Sequence, residues 1–135
     1  GHLVFGTLHT ATAITTVDRM VDMFPANQQN QIRSTLSEVL QGVVSQTLLK
    51  KRGGGRIAAI EVLVVNNAVA NLIRESKTSQ VATIMQAGKS RGNCMLNDSL
   101  SDLVLRKEVT FEEAMNRSMD KEDLARRLGK TYPPD

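Results

Sequence analysis

The alternation of apolar and polar positions divides the chain into strand-like and helix-like stretches. Leu3 to Leu8 is an almost unbroken apolar run, the pattern of a strand buried on both faces in a parallel sheet. Ile14, Val17, Val21 and Phe24 then recur at helical spacing before Pro25, which predicts a helix capped by Thr10 or Thr12. A second helix is expected from Gln28 to Gly42, with Ile32, Leu36, Val39 and Leu40 on one face and glutamines on the other. "VVSQTLLKK" and "RIAAIEVLVV" are β-rich runs joined by Arg52-Gly53-Gly54-Gly55, which reads as a hairpin. From Asn67 onward the period is helical. "NAVANLIRES", "SQVATIMQAG" and "LNDSLSDLVLRK" form three short helices between Ser, Gly and Asn breakers. Thr110 and Glu113 make a T-x-x-E capping box that starts a fourth, and Leu124 and Leu128 before Gly129 mark a last one. The pattern predicts an α/β part over 1–66, an all-helical region over 67–130 and a tail over 131–135, with no internal repeat.

Composition agrees with a folded chain. Its 135 residues are 41% apolar and 23% charged, close to ordinary globular usage, so wholesale disorder is not expected. Aromatics are only 3%, which leaves Leu, Ile, Val, Ala and Met to build the core. A lone Cys94 forms no internal disulfide and fits a reducing cytoplasm. No apolar stretch approaches the ~20 residues of a membrane-spanning helix, and the start lacks the order of a signal peptide. With no initiator Met ahead of a buried-strand pattern, a piece of a longer polypeptide is expected.

The net charge of +3 and pI near 9.3 raise the question of nucleic acid. Residues 1–100 hold ten Lys/Arg against six Asp/Glu, and residues 101–135 hold seven against eight, so the excess lies in the first part. It gathers in "KKRGGGR", Lys50 to Arg56. With no interleaved aromatics to stack on bases and no recognition helix after it, the cluster reads as a charged hairpin tip, and no nucleic-acid partner is expected.

Chemistry narrows quickly. Gly88-Lys89-Ser90 looks like the end of a phosphate-binding P-loop, but position 83, where the first glycine of that motif belongs, is Thr83, and the segment follows a helix. It reads as a helix stop. No Ser/His/Asp order and no C-x-x-C pair is present. His2 and His9 share no metal site on a strand, because an odd offset sends their side chains to opposite faces about 23 Å apart at roughly 3.3 Å per residue. His9, with Thr7 and Thr10, stands at the carboxyl end of the expected parallel strand, where open α/β sheets place ligands. His2 at the other end reads as a structural residue.

At this point "GHLVFGTLHT", "VDRMVDMFP", "VVSQTLLKK", "GRIAAIEVL" and "AVANLIRE" resemble, in order and spacing, the C-terminal ATPase domain of the PilT family, the type IV pilus retraction motors. The first looks like that family's His box, with Gly1, His2, Thr7, His9 and Thr10. The last resembles its AIRNLIRE motif, matched here by Ala68, Asn71, Leu72, Ile73, Arg74 and Glu75. Ala70 stands where that motif has Arg, and Ala87 where Thr is usual in "MQTG".

The resemblance covers almost the whole chain and weakens after Lys107. It implies part of a RecA-like P-loop ATPase core and a homo-hexamer that binds ATP and Mg²⁺ between subunits. It also implies a cytoplasmic motor, peripheral at the inner face of the bacterial inner membrane and engaging the pilus platform protein. The family's Walker A, Asp box and Walker B segments all precede the His box. The resemblance therefore implies that this chain alone is inactive, that no metal ligand lies within it, and that His9 senses the γ-phosphate. Rival readings are a pilus extension or type II secretion motor, and a non-enzymatic assembly module of the same fold.

Overall fold

The computed structural model describes residues 1–133, and of the expected tail 131–135 residues 134 and 135 lie outside the described residues. Strands β1 (Gly42–Lys50) and β2 (Arg56–Val64) pair antiparallel from Gly42↔Val64 to Lys50↔Arg56. The turn between them takes three consecutive glycines at positive φ, 81°, 109° and 78° for Gly53, Gly54 and Gly55. Side chains there would be strained, so the glycine run is what lets the chain reverse. Period-two alternation then sends Ser45, Leu49, Ala59, Glu61 and Leu63 inward and leaves Val44, Leu48, Ile60 and Val64 exposed.

Helices flank the hairpin: α1 (Ala13–Asp22) and α2 (Gln29–Val39) before it, then α3 (Asn67–Arg74), α4 (Val81–Ala87), α5 (Leu96–Leu105), α6 (Phe111–Arg117) and α7 (Lys121–Arg127). Side-chain caps fix several of their starts. Thr12, the second of the two expected candidates, accepts from the Thr15 amide at 3.1 Å. Asn66 accepts from Val69 at 2.9 Å to start α3, and Asp120 caps α7. Leu63 packs with Ala13, Val17, Val69, Ile73, Val81 and Met85. Leu49 and Ala59 pack instead with Leu100, Leu103, Ala114 and Leu124 of the C-terminal helices and with Val109 between α5 and α6. One hairpin thus supplies two cores, with Glu61 on β2 between Ala59 and Leu63.

Several expectations need correction. Leu3 to Leu8 forms no strand: the segment joins no ladder, and Leu3, Val4 and Phe5 are 79–89% exposed. A strand buried on both faces needs neighbours at its edges and cover on both sides. Among the described residues the sheet has only two strands, and the outer edge of β2 is already taken. There Val62 bridges Cys94, the Ile60 amide donates to Ser99 Oγ at 3.1 Å, and the Val64 amide donates to Asn93 Oδ1 at 2.8 Å. The carboxyl end of a parallel strand is therefore no ground for placing His9, and His2 is no strand-start residue here.

The second helix stops at Val39, because Leu40 is already extended and Gly42 opens β1, and Val39 points outward. The capping box closes by half. Thr110 accepts from the Glu113 amide at 3.1 Å, while the Glu113 carboxylate leaves its own helix and accepts from the Lys50 amide at 2.9 Å. No helix among the described residues is long and apolar enough to cross a membrane.

Candidate functional site

His9 sits three residues before the Thr12 cap, so the start of α1 fixes where the histidine segment runs. Thr10 is held there by a hydroxyl contact with Thr16, whose own hydroxyl donates to the Thr12 carbonyl at 2.9 Å. His9 and Thr10 line an open cleft of about 660 Å³ whose other walls are Gln46 and Leu48 of β1, Arg56 of β2 and Arg117 of α6. Two guanidinium groups, an imidazole and a hydroxyl make it a cleft suited to anions. Among the described residues no hydrogen bond joins the His9 imidazole to a lining hydroxyl, and no carboxylate or thiol lines the cleft. Gly1, His2 and Thr7 lie in the exposed opening segment and do not line the cleft. The structure therefore separates the histidines: His9 joins a site and His2 does not.

The second group of expected residues is on α3. Val69 and Ile73 are fully buried, Leu72 is half-buried, and Ala68, Asn71, Arg74 and Glu75 are exposed, as the helical period requires. Arg74 donates to Asn71 Oδ1 at 2.8 Å, and Glu75 pairs with Lys77 at 3.1 Å, which organises a polar face on an otherwise apolar helix.

One residue escaped the sequence reading. Glu61 is 3% exposed, and its carboxylate accepts from two backbone amides, Ala13 through Oε1 at 2.8 Å and Leu96 through Oε2 at 2.9 Å. These are the first residues of α1 and α5. Unpaired amides and the positive dipole end of each helix compensate the buried carboxylate. The sequence did contain a signal: in "RIAAIEVLVV" an acidic residue occupies the inward phase of the strand.

A charged cluster braces the far side. Arg127 of α7 bonds Asp123 through Nε at 2.6 Å and also bonds Asp98 of α5, which Lys89 reaches at 2.8 Å. Partial burial pushes both carboxyls upward, but hydrogen bonds outweigh it. Lys89, the Met95 amide and Arg127 hold Asp98 below the usual carboxylate range, and Asn97 and Arg127 do the same for Asp123. Burial, with Asp98 and Glu61 nearby, raises the Cys94 thiol. Lys89 is thus committed to an ion pair, and Gly88 closes α4 with a β-carbon's space already filled by Asn93, so this Gly-Lys-Ser is no phosphate cradle. Among the described residues no three His, Cys, Asp or Glu side chains converge on a metal position. The charged groups lining the His9 cleft are the guanidinium groups of Arg56 and Arg117, with no carboxylate beside them among the described residues, so that lining does not fit Mg²⁺.

A cationic cleft beside a two-stranded hairpin covered by helices defines a mixed α/β fold with an anion-suited surface. A family model described as Type II/IV secretion system protein matches residues 1–116. The chain belongs to that family. It is 49% identical over 118 residues to the type IV pilus retractation ATPase PilT of Pseudomonas aeruginosa, covering 87% of this chain and 34% of that protein. It is 47% identical over 126 residues to the twitching motility protein of Neisseria gonorrhoeae, covering 93% and 34%. The crystal structure of the pilus retraction motor PilT with bound ADP superposes with a TM-score of 0.82 at 51% identity, over 93% of this chain and 35% of that one. The ATPase DotB of Yersinia pseudotuberculosis, at 22% identity and a TM-score of 0.73 over 88% and 31%, shares the fold. The chain spans about a third of the length of the curated relatives it matches.

Proposed function

We propose that this chain is the C-terminal portion of a motor that hydrolyses ATP to power type IV pilus retraction. The observation that carries the reading is the likeness, near half of all positions and throughout the fold, to proteins named as retraction motors, one with ADP bound. In this reading His9 acts at the cleft, donating a hydrogen bond to the γ-phosphate when that group is present, while Arg56 and Arg117 favour the anion. ATP and Mg²⁺ are held chiefly by residues outside this chain, in a homo-hexamer that is cytoplasmic and peripheral to the inner membrane. The polar face of α3 meets a neighbouring subunit or the membrane platform protein. Cleavage steps belong to groups this chain does not contain.

Phosphate release tests the reading. The isolated chain gives none above a blank, because nothing in it cradles a triphosphate, while the full-length protein turns over ATP and restores retraction to cells lacking it. Turnover by the isolated chain contradicts the division of labour. Turnover by the full-length protein that restores extension or secretion in place of retraction favours the related motors, and a full-length protein without turnover favours an assembly module.

A further inference from the structure

Glu61 bonds the first residue of a helix in each core. Its two oxygens are spent on different helices: Oε1 on the Ala13 amide of α1, four residues after His9, and Oε2 on the Leu96 amide of α5. Ala59 and Leu63, its inward neighbours on β2, belong one to each core, so the carboxylate lies at the seam between them. A buried carboxylate with two donors cannot release one without leaving an uncompensated oxygen, so a shift of the α1 start carries the α5 start with it.

We propose that Glu61 is a positioning residue that transmits the nucleotide state of the His9 segment to the C-terminal helices. This rests on the motor reading above. The Glu61 carboxylate takes no part in bond cleavage: it ties the segment that meets phosphate to the helices that move.

Hydrogen exchange on the full-length protein tests this, with ADP and with a non-hydrolysable ATP analogue. In the wild type, exchange over 94–100 differs between the two nucleotides. In Glu61→Gln, whose amide accepts from only one of the two N–H groups, that difference disappears while the response over 13–17 persists. Overall exchange at 94–100 rises about tenfold or more, the size expected for losing a buried bond to a charged acceptor. A purely structural Glu61 would raise exchange equally with both nucleotides and preserve the difference, which overturns the proposal. So does a wild type that turns over ATP with no nucleotide-dependent difference at 94–100. A wild type that neither binds nor hydrolyses ATP sinks the motor reading first, and is recognised by its silence over 13–17 as well.

If Glu61→Gln does not fold, Leu96→Pro removes the α5 amide and leaves the Ala13 arm intact, at the cost of one buried leucine side chain in the second core. Proline suits a first helical position, and Met95 at φ −78°, ψ 151° already has the conformation a residue before proline prefers. The same loss of nucleotide response at 94–100 is expected, and its retention contradicts the coupling.

Discussion

The two cores that meet at β2 are held by different forces. The core around Leu63 joins α1, α3 and α4 through Val17, Val69, Ile73, Val81 and Met85, with polar bonds at helix ends, among them the Thr12 and Asn66 caps and Glu61 on the Ala13 amide, and no ion pair spanning its helices among the described residues. The core around Leu49 and Ala59 joins α5, α6 and α7, and is braced by ions: Lys89 to Asp98, Asp98 to Arg127, Arg127 to Asp123, with Asn97 linking Asp123 to Ser118. The apolar core carries the His9 segment leading into α1 and the polar face of α3, while α6 of the other core supplies Arg117 to the cleft. In the motor reading, the part that senses and pushes is packed by nondirectional contacts, and the part that must move as one body is locked by directional ones.

Breaking either core's apolar centre gives the largest effect. Leu63→Ala and Leu100→Ala both empty fully buried positions, and each should cost about 2–5 kcal/mol. Native-state hydrogen exchange reads the loss core by core: Leu63→Ala should speed exchange first in α1 and α3, and Leu100→Ala first in α5 and α7. Equal acceleration in both from either variant would show that the two cores are one cooperative unit.

Arg127→Met is smaller, about 1–2 kcal/mol, because the guanidinium is partly exposed. Its value lies in its pH dependence. Asp98 and Asp123 have folded-state carboxyls below their unfolded values, so the unfolded chain binds more protons in the acid range and stability rises with pH there. The contribution is complete above the unfolded carboxylate range and is lost as pH falls through the lower folded values. Denaturant titrations near neutrality and in acid should therefore show the gap between wild type and Arg127→Met closing on acidification. A gap independent of pH would mean that packing of the Arg127 stem, not its charge, braces the second core.

The smallest effect on stability is expected on α3. Arg74→Ala and Glu75→Ala remove exposed side chains and should change stability by about 0.5 kcal/mol or less, yet both should impair pilus retraction in the full-length protein. Wild-type traction in both variants would make the polar face ordinary solvated surface.

What was legible in the sequence was what the chain completes by itself. The hairpin has its partner strand five residues away and a glycine turn between, and the helices announce themselves by period and by caps such as Thr12 and Thr110. Leu3 to Leu8 has the same strand-like composition but no neighbour among the described residues, so its pattern states a requirement that nothing here meets. Glu61 was missed for a different reason. Its role is set by two helix starts 48 and 35 residues away, and only the inward phase of β2 hinted at it. His9 was singled out on a strand that does not form, yet it reaches the cleft because the Thr12 cap, not a sheet, fixes the start of α1.

The two histidines give the most direct test. Only His9 lines the cleft, so in the full-length protein His9→Ala should lower kcat for ATP by about 10²-fold or more, the usual loss of a preorganised donor at developing phosphate charge. His2→Ala should leave kcat within a few fold of wild type. Equal losses of kcat in both variants, with unchanged melting, would place the histidines in one shared site and contradict the separation seen here.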